Sequence, residues 1–288
     1  MLTLAALSCI QNPDALVISD RLVSQPILDL VKGELRVHQK VLGQPGCADR
    51  VQDMINEECV SAALQGKDVV RLKIGDPYIF GRGSEEVLYF TGRGIRPRVV
   101  PGVSSSLSAP LLAGIPLTHR GVSNRVTICT GYGRKESVPR LPLYDEMQSV
   151  VFLMAVGRLR DLMGRLVEAG YPGETPVGVV ERAGCEGQRV IRGEALNIAD
   201  RCEELDVRPP STIVVGDVVG VLEGFVEEGF EEMGYVERIV SEGRVEAAKG
   251  EVSSTRSAER SATALRRVQK LLRYSVLLCG DASLAMLS

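Results

Sequence analysis

Arg71-Leu-Lys-Ile-Gly-Asp-Pro-Tyr-Ile-Phe-Gly-Arg-Gly-Ser-Glu-Glu86 begins as the end of an apolar strand and breaks into Gly75-Asp76-Pro77, then Gly81-Arg82-Gly83. A glycine directly after a buried strand lets a ligand approach the backbone closely. A carboxylate beside it can accept hydrogen bonds from ribose hydroxyls or an amino group, so the segment suits a nucleoside cofactor. The alternative is a Gly-Asp-Pro turn that only ends a strand.

Outward from this segment, short apolar runs alternate with longer amphipathic stretches, the pattern of parallel strands joined by helices, and the fold class is α/β. Strands are expected at Ala15–Ser19, Asp68–Lys73, Pro97–Val100, Arg125–Thr130, Ser149–Ala155, Pro176–Glu181 and Ser211–Val215. Most are apolar on both faces, as in a sheet covered on both sides. Ser104–Ala113 reads as a helix with serines at its start and Gly114 past its end; Leu159–Ala169 reads as another, closed by Gly170. Thr130–Leu143, with Gly131, Gly133, Pro139 and Pro142, reads as a long loop. A boundary at Pro116–Asn124 divides the core into domains 1–120 and 121–221. Residues 222–288, glutamate-rich and then Ser/Thr/Ala-rich before a basic stretch at Leu265–Tyr274, form an appended tail, helical or partly disordered.

Composition narrows the function classes. The chain has 288 residues, 44% of them hydrophobic, enough for a large core. A net charge of -3 lacks the dense basic surface that nucleic acid requires, so an anion must meet a local cluster of cations. Seven cysteines without a Cys-x-x-Cys pair and two distant histidines signal no metal site. No secretory start and no membrane-length apolar run are present, so a cytoplasmic protein with reduced thiols and no membrane partner is expected.

The quoted segment resembles the Arg-Leu-Lys-x-Gly-Asp-Pro-x-x-Phe-Gly-Arg-Gly-x-Glu-Glu signature of the uroporphyrinogen-III methyltransferases within the tetrapyrrole methylase superfamily. Val99-Val-Pro-Gly-Val-Ser-Ser-Ser-Leu-Ser-Ala-Pro110 and Gly114-Ile-Pro-Leu-Thr-His-Arg120 are similar to two further family segments. Ala15-Leu-Val-Ile-Ser-Asp-Arg-Leu-Val-Ser24 resembles the strand that carries the family's Tyr-Asp-x-Leu-Val, with Ser19 in place of tyrosine. Gly46-Cys-Ala-Asp-Arg-Val-Gln52 resembles a form seen in fungal-type members and points to a eukaryotic branch. The likeness runs from Leu2 to about Val221, through Ser149–Ala155, Val179–Ala183, Gln188–Ile191 and Pro209–Gly220.

The resemblance implies two α/β domains of the tetrapyrrole methylase type with a cofactor cleft between them. It also implies S-adenosyl-L-methionine as methyl donor, a small-molecule tetrapyrrole substrate and a homodimer. The activity implied is methylation of uroporphyrinogen III at C2 and C7 to give precorrin-2, in siroheme or cobalamin biosynthesis. Asp20 takes the place of the proton acceptor and Lys40 that of the proton donor. Ile74, Gly75, Asp76, Ile79, Ser104, Ser105, Met154 and Ala183 fall at cofactor positions. Arg21, Arg82 and Arg120 are candidates for the substrate's carboxylates. Each has a plainer reading alongside: Asp20 a loop residue paired with Arg21, Lys40 a solvated cation, Ser104 a helix cap, Met154 a core residue. His38 and His119 are expected to be structural or incidental.

Relatives carry a strand and a Gly-x-Gly-Pro-Gly-Asp-Pro loop ahead of the segment matching Leu2-Thr-Leu-Ala-Ala6, so the first strand is expected to be missing and the chain to open inside the following helix. Two alternatives to the active enzyme are a related corrin-ring or diphthine methyltransferase, disfavoured by the Phe-Gly-Arg-Gly-x-Glu-Glu ending, and a catalytically inactive relative that only binds cofactor or a partner.

Overall fold

The computed structural model describes residues 1–38, 47–131, 133, 137, 139–223 and 278–279. The chain falls into two compact units that meet in sequence at Ser104 and Ser105, not at the expected Pro116–Asn124. The reason is packing: Ala109, Ala113 and Ile115 are buried in one cluster with Val180, Val214, Val218 and Val219, so the helix before the expected boundary belongs to the second sheet.

The first unit holds α1 (Leu4–Ile10), β1 (Ala15–Asp20), α2 (Gln25–Leu28), β2 (Glu34–His38), α3 (Cys47–Leu64), β3 (Asp68–Leu72) and α4 (Gly83–Thr91). β1 is central and pairs in parallel with β2 and β3, Asp20 opposite His38 and Ser19 opposite Leu72. Alternation along β1 sends Leu16 and Ile18 to a cluster with Ile55, Cys59, Val69 and Phe90. Ala15 and Val17 go to the opposite face with Ile10, Leu28, Val70 and Leu72. Both faces are covered, which is why the strand reads as an unbroken apolar run. β2 was not expected: Glu-Leu-Arg-Val-His is an edge strand, and Arg36 and His38 both meet Glu58 of α3. Charges managing an edge hide the period-2 signal.

Pro97–Val100 forms no strand, contrary to expectation. Pro97 and Pro101 bracket it without N–H donors, so it is poorly equipped for a ladder. On that side β3 pairs at Val69 and Val70 with a two-residue antiparallel strand, Leu278–Cys279 (β9). Apart from residues 222 and 223, the rest of the expected tail lies outside the described residues. The chain opens in a helix as expected, and Thr3 caps it, its hydroxyl accepting from the Ala6 N–H at 3.3 Å and donating to the Pro101 carbonyl at 3.2 Å. Thr3→Ala should therefore cost about 1 kcal/mol, read as a lowered denaturation midpoint.

The second unit carries α5 (Ser105–Leu112), β4 (Arg125–Thr130), β5 (Gln148–Leu153), α6 (Leu159–Glu168), β6 (Pro176–Glu181), β7 (Arg189–Glu194), α7 (Ile198–Glu204) and β8 (Ser211–Val215). The strand order is β4-β5-β8-β6-β7. Among the described strands of this sheet only β4 and β5 run parallel; every other pair is antiparallel, which corrects the expectation of parallel strands throughout. β7 is the added strand: the short turn from Arg182 to Gln188 returns it beside β6 as a hairpin, a connection open only to antiparallel neighbours. One face packs Phe152, Leu166, Val179 and Ile213 under α6 and α7, and α5 covers the other.

Candidate active site at the carboxyl end of the first sheet

Parallel strands place loops at their carboxyl ends, where α/β sheets bind ligands. β3 ends at Leu72, and the chain turns through Gly75 at φ +67, a left-handed conformation that costs glycine nothing. Asp76 organises the turn beyond it. Its Oδ1 accepts from the backbone N–H groups of Tyr78 at 2.8 Å and Ile79 at 3.2 Å, and Oδ2 has no hydrogen-bond partner among the described residues. Phe80 and Arg82 are also left-handed, at φ 53 and 58, unusual for side-chain-bearing residues and worth about 1–3 kcal/mol of strain each. Ile74, Tyr78, Ile79 and Phe80 are exposed, an apolar rim around a polar turn. Gly102 seats the next segment on this loop; a Cβ there would lie 2.0 Å from the Gly75 carbonyl oxygen.

Asp20 ends β1 in the same sheet. Its Oδ1 accepts from the Leu22 N–H at 3.0 Å, and its Oδ2 accepts from Arg71 Nη2 at 2.9 Å. The plainer reading, a pair with Arg21, is therefore not what forms. Arg71 in turn donates through Nε to Glu86 Oε1 at 3.2 Å, and that oxygen also receives Lys73 Nζ at 2.9 Å and Gln52 Nε2 at 2.7 Å. Burial opposes the charge on Arg71, yet Glu86 and Asp20 outweigh it and hold the guanidinium above its ordinary value. For Lys73 the balance goes the other way: burial, seconded by Arg71, pushes the ammonium down despite Glu86.

The other expected residues are spread over both units. Ile74, Gly75, Asp76 and Ile79 share the loop after β3. Arg21 is exposed beside Asp20. Arg82, at the start of α4, bridges Asp49 at 2.9 Å and Glu85 at 2.8 Å, and Glu85 above all raises its affinity for its proton. Ser104, buried, closes the first unit, and Ser105 opens α5 in the second. Met154 comes directly after β5 at φ 54 and is 53% exposed, so it is not a core methionine. Ala183 comes after β6 and left-handed Arg182 and packs against the α5 cluster. Arg120 is exposed in the turn between His119 and Ser123. Lys40 lies outside the described residues. His38 is engaged by Glu58, and His119 Nδ1 lies 3.0 Å from the Arg120 carbonyl oxygen.

Sequence reasoning passed over Arg71, Lys73, Glu86 and Gln52, although three of them stand in the quoted segment. The available signal was the arginine itself. A cation in a strand apolar on both faces needs a buried carboxylate, and Glu86 at the end of the segment supplies it.

The sequence profile of the tetrapyrrole (corrin/porphyrin) methylases matches residues 1–199. A uroporphyrinogen-III C-methyltransferase of Saccharomyces cerevisiae is 43% identical over 224 residues, 77% of this chain and 37% of that protein. A uroporphyrinogen-III C-methyltransferase of Methanocaldococcus jannaschii is 34% identical over 226 residues, 77% of this chain and 93% of that protein. A crystal structure of uroporphyrin-III C-methyl transferase from Thermus thermophilus, complexed with S-adenyl homocysteine, superposes with a TM-score of 0.64 at 32% identity, covering 76% of this chain and 88% of that one. The chain thus spans less than half the length of its fungal relatives. No helix among the described residues is long and apolar enough to cross a membrane.

Proposed function

Because the chain belongs to the tetrapyrrole (corrin/porphyrin) methylases, we propose that it transfers methyl groups from S-adenosyl-L-methionine to uroporphyrinogen III, at C2 and then C7, giving precorrin-2. The observation that carries this reading is the Asp20 carboxylate at the end of β1, in one sheet with the Gly75-Asp76 turn at the end of β3. A relative of the same fold is complexed with S-adenyl homocysteine. The turn fits such a nucleoside: Gly75 offers backbone without a side chain, and Asp76 Oδ2, with no hydrogen-bond partner among the described residues, is an acceptor for hydroxyl or amino groups. Ile74, Ile79, Ser104, Ser105, Met154 and Ala183 complete the proposed cofactor set. The reading also makes the protein a cytoplasmic homodimer.

When bound, the sulfonium supplies an activated methyl group. The attacking carbon belongs to an electron-rich pyrrole, so no covalent intermediate with the chain is required. A new C–C bond forms as the S–CH3 bond breaks, and the ring system, left cationic, regains neutrality by losing a proton. The chain's own contributions are orientation and acceptance of that proton, which falls to Asp20, with Lys40 as donor. Arg21, Arg82 and Arg120 are assigned to the substrate's carboxylates, since a net-acidic protein must concentrate cations locally.

Arg82→Ala should raise KM for uroporphyrinogen III by about tenfold, the worth of one charge-assisted hydrogen bond, and leave S-adenosylhomocysteine affinity unchanged by calorimetry. Equal losses for both ligands would remove Arg82 from the substrate set. The proposal as a whole is tested by anaerobic assay of the protein with uroporphyrinogen III and S-adenosylmethionine, following precorrin-2 by absorbance. S-adenosylhomocysteine binding without turnover would leave a binding protein in place of an enzyme.

A further inference from the structure

The Arg71 side chain is 2% exposed, and its strand neighbours Val69, Val70 and Leu72 are aliphatic and buried, with Asp68 at the strand's start the one other polar residue. An aliphatic side chain at this position would build the same strand without removing a guanidinium from water, so sheet stability does not account for the arginine. Its donors are committed to particular acceptors. Nη1 goes to the Leu72 carbonyl at 2.6 Å, Nε to Glu86 Oε1 at 3.2 Å and Nη2 to Asp20 Oδ2 at 2.9 Å.

The far side of Arg71 is fixed as firmly. Glu86 is fully buried, and the Oε1 that takes Arg71 also takes Lys73 and Gln52, while Gln52 donates to Asn56 Oδ1 at 3.1 Å. The guanidinium is therefore held directly by β1, β3 and α4, and α3 acts behind it by fixing Glu86 through Gln52. With the Leu22 N–H on Oδ1, Asp20 receives one donor on each oxygen, and its carboxylate plane is determined.

We infer that Arg71 is a positioning residue for the methyl-transfer reaction: clamped by Glu86, it sets the orientation of the Asp20 carboxylate toward the proton that the methylated ring must lose. This rests on the reading of Asp20 as proton acceptor. Glu86, with Lys73 and Gln52 on its Oε1, forms the support behind it.

The test is a double-mutant cycle on the purified protein. R71Q/E86Q removes one buried cation and one buried anion together, so the net charge of the network is unchanged, and keeps amides where the hydrogen bonds were, including an amide oxygen for Lys73. The expected result is a kcat reduced by about 10- to 100-fold, the scale of a misplaced catalytic group, with KM for uroporphyrinogen III and S-adenosylhomocysteine Kd nearly unchanged. In an Asp20→Asn background the same pair of changes should lower kcat by less than about twofold, because a residue acting through Asp20 has nothing left to position. An equal further loss in that background, or a parallel rise in both KM and Kd, overturns the inference and leaves Arg71 as a structural residue. If R71Q/E86Q fails to fold by circular dichroism, Arg71→Lys carries the same cycle: one ammonium keeps the charge but cannot reach Asp20, Glu86 and the Leu72 carbonyl at once. Asp20→Asn with a kcat within tenfold of the parent overturns the premise itself, an outcome distinct from a cycle that fails with Asp20 intact.

Discussion

Asp20→Asn is expected to lower kcat for uroporphyrinogen III methylation by roughly 10²- to 10⁴-fold, the range ascribed to a positioned general base, while S-adenosylhomocysteine binds as before. The substitution is nearly isosteric, so what it removes is the capacity to take a proton. It also leaves one acceptor oxygen where the Leu22 N–H and Arg71 Nη2 now find two. A buried donor without its partner costs about 1–3 kcal/mol, so a modest fall in thermal midpoint should accompany the loss of turnover. The two effects separate on measurement. If lost folding were the cause, a fully folded sample would turn over normally and the cofactor affinity of the preparation would fall with its kcat. A kcat within tenfold of the parent would take the proton-acceptor role from Asp20.

How much of this site is legible in the sequence depends on what kind of constraint each residue answers to. β1 and β3 announce themselves because both faces are buried: Ala15, Leu16, Val17 and Ile18 have no polar side to interrupt the run. Gly75-Asp76 is legible for a local reason, a turn whose backbone φ and capping carboxylate lie within a few residues of each other. β2 is not legible, because its arginine and histidine answer to Glu58, twenty-odd positions away on α3. Its sequence alternation therefore records ion pairs as much as burial. The division between units is hidden for the same reason. Ser105–Leu112 looks like the end of the first βα series until Ala109 and Ala113 are seen packed on Val180 and Val214.

Arg71 and Arg82 differ in the same respect. Both stand in the quoted segment. Arg82 draws attention through the glycines flanking it, yet it is partly exposed and its partners Asp49 and Glu85 are surface carboxylates, a class of ion pair worth little on its own. Arg71 has no flanking glycines, and its one local mark is a charge in an apolar strand. Its significance is set by Asp20, Glu86, Lys73 and Gln52, which converge on one another only when the strands align and α3 and α4 dock. Long-range pairing of buried charge leaves in the sequence only a polar residue where the pattern calls for an apolar one.

Gly102→Ala puts the cofactor turn itself to the test. The added Cβ would stand 2.0 Å from the Gly75 carbonyl oxygen, 2.8 Å from the Gly75 carbonyl carbon and 3.3 Å from the Asp76 Cα. All three are backbone atoms, so no side chain can swing aside to relieve the contact. Either the Gly75-Asp76 turn or the Val99–Ser104 segment must move, and overpacking against backbone costs about 1–3 kcal/mol or more. If that turn holds S-adenosylmethionine as proposed, the displacement shows as affinity, since each 1.4 kcal/mol is about a factor of ten in Kd. S-adenosylhomocysteine should bind roughly 10- to 100-fold more weakly, with the thermal midpoint lowered as well. Gly164→Ala is the matched control: on α6 a Cβ meets nothing within 4 Å, and replacing glycine in a helix should leave binding alone and stabilise the fold by up to about 1 kcal/mol. Should Gly102→Ala lower the midpoint yet leave S-adenosylhomocysteine affinity intact, the Gly75-Asp76 turn is a structural joint and the cofactor must be held by other residues.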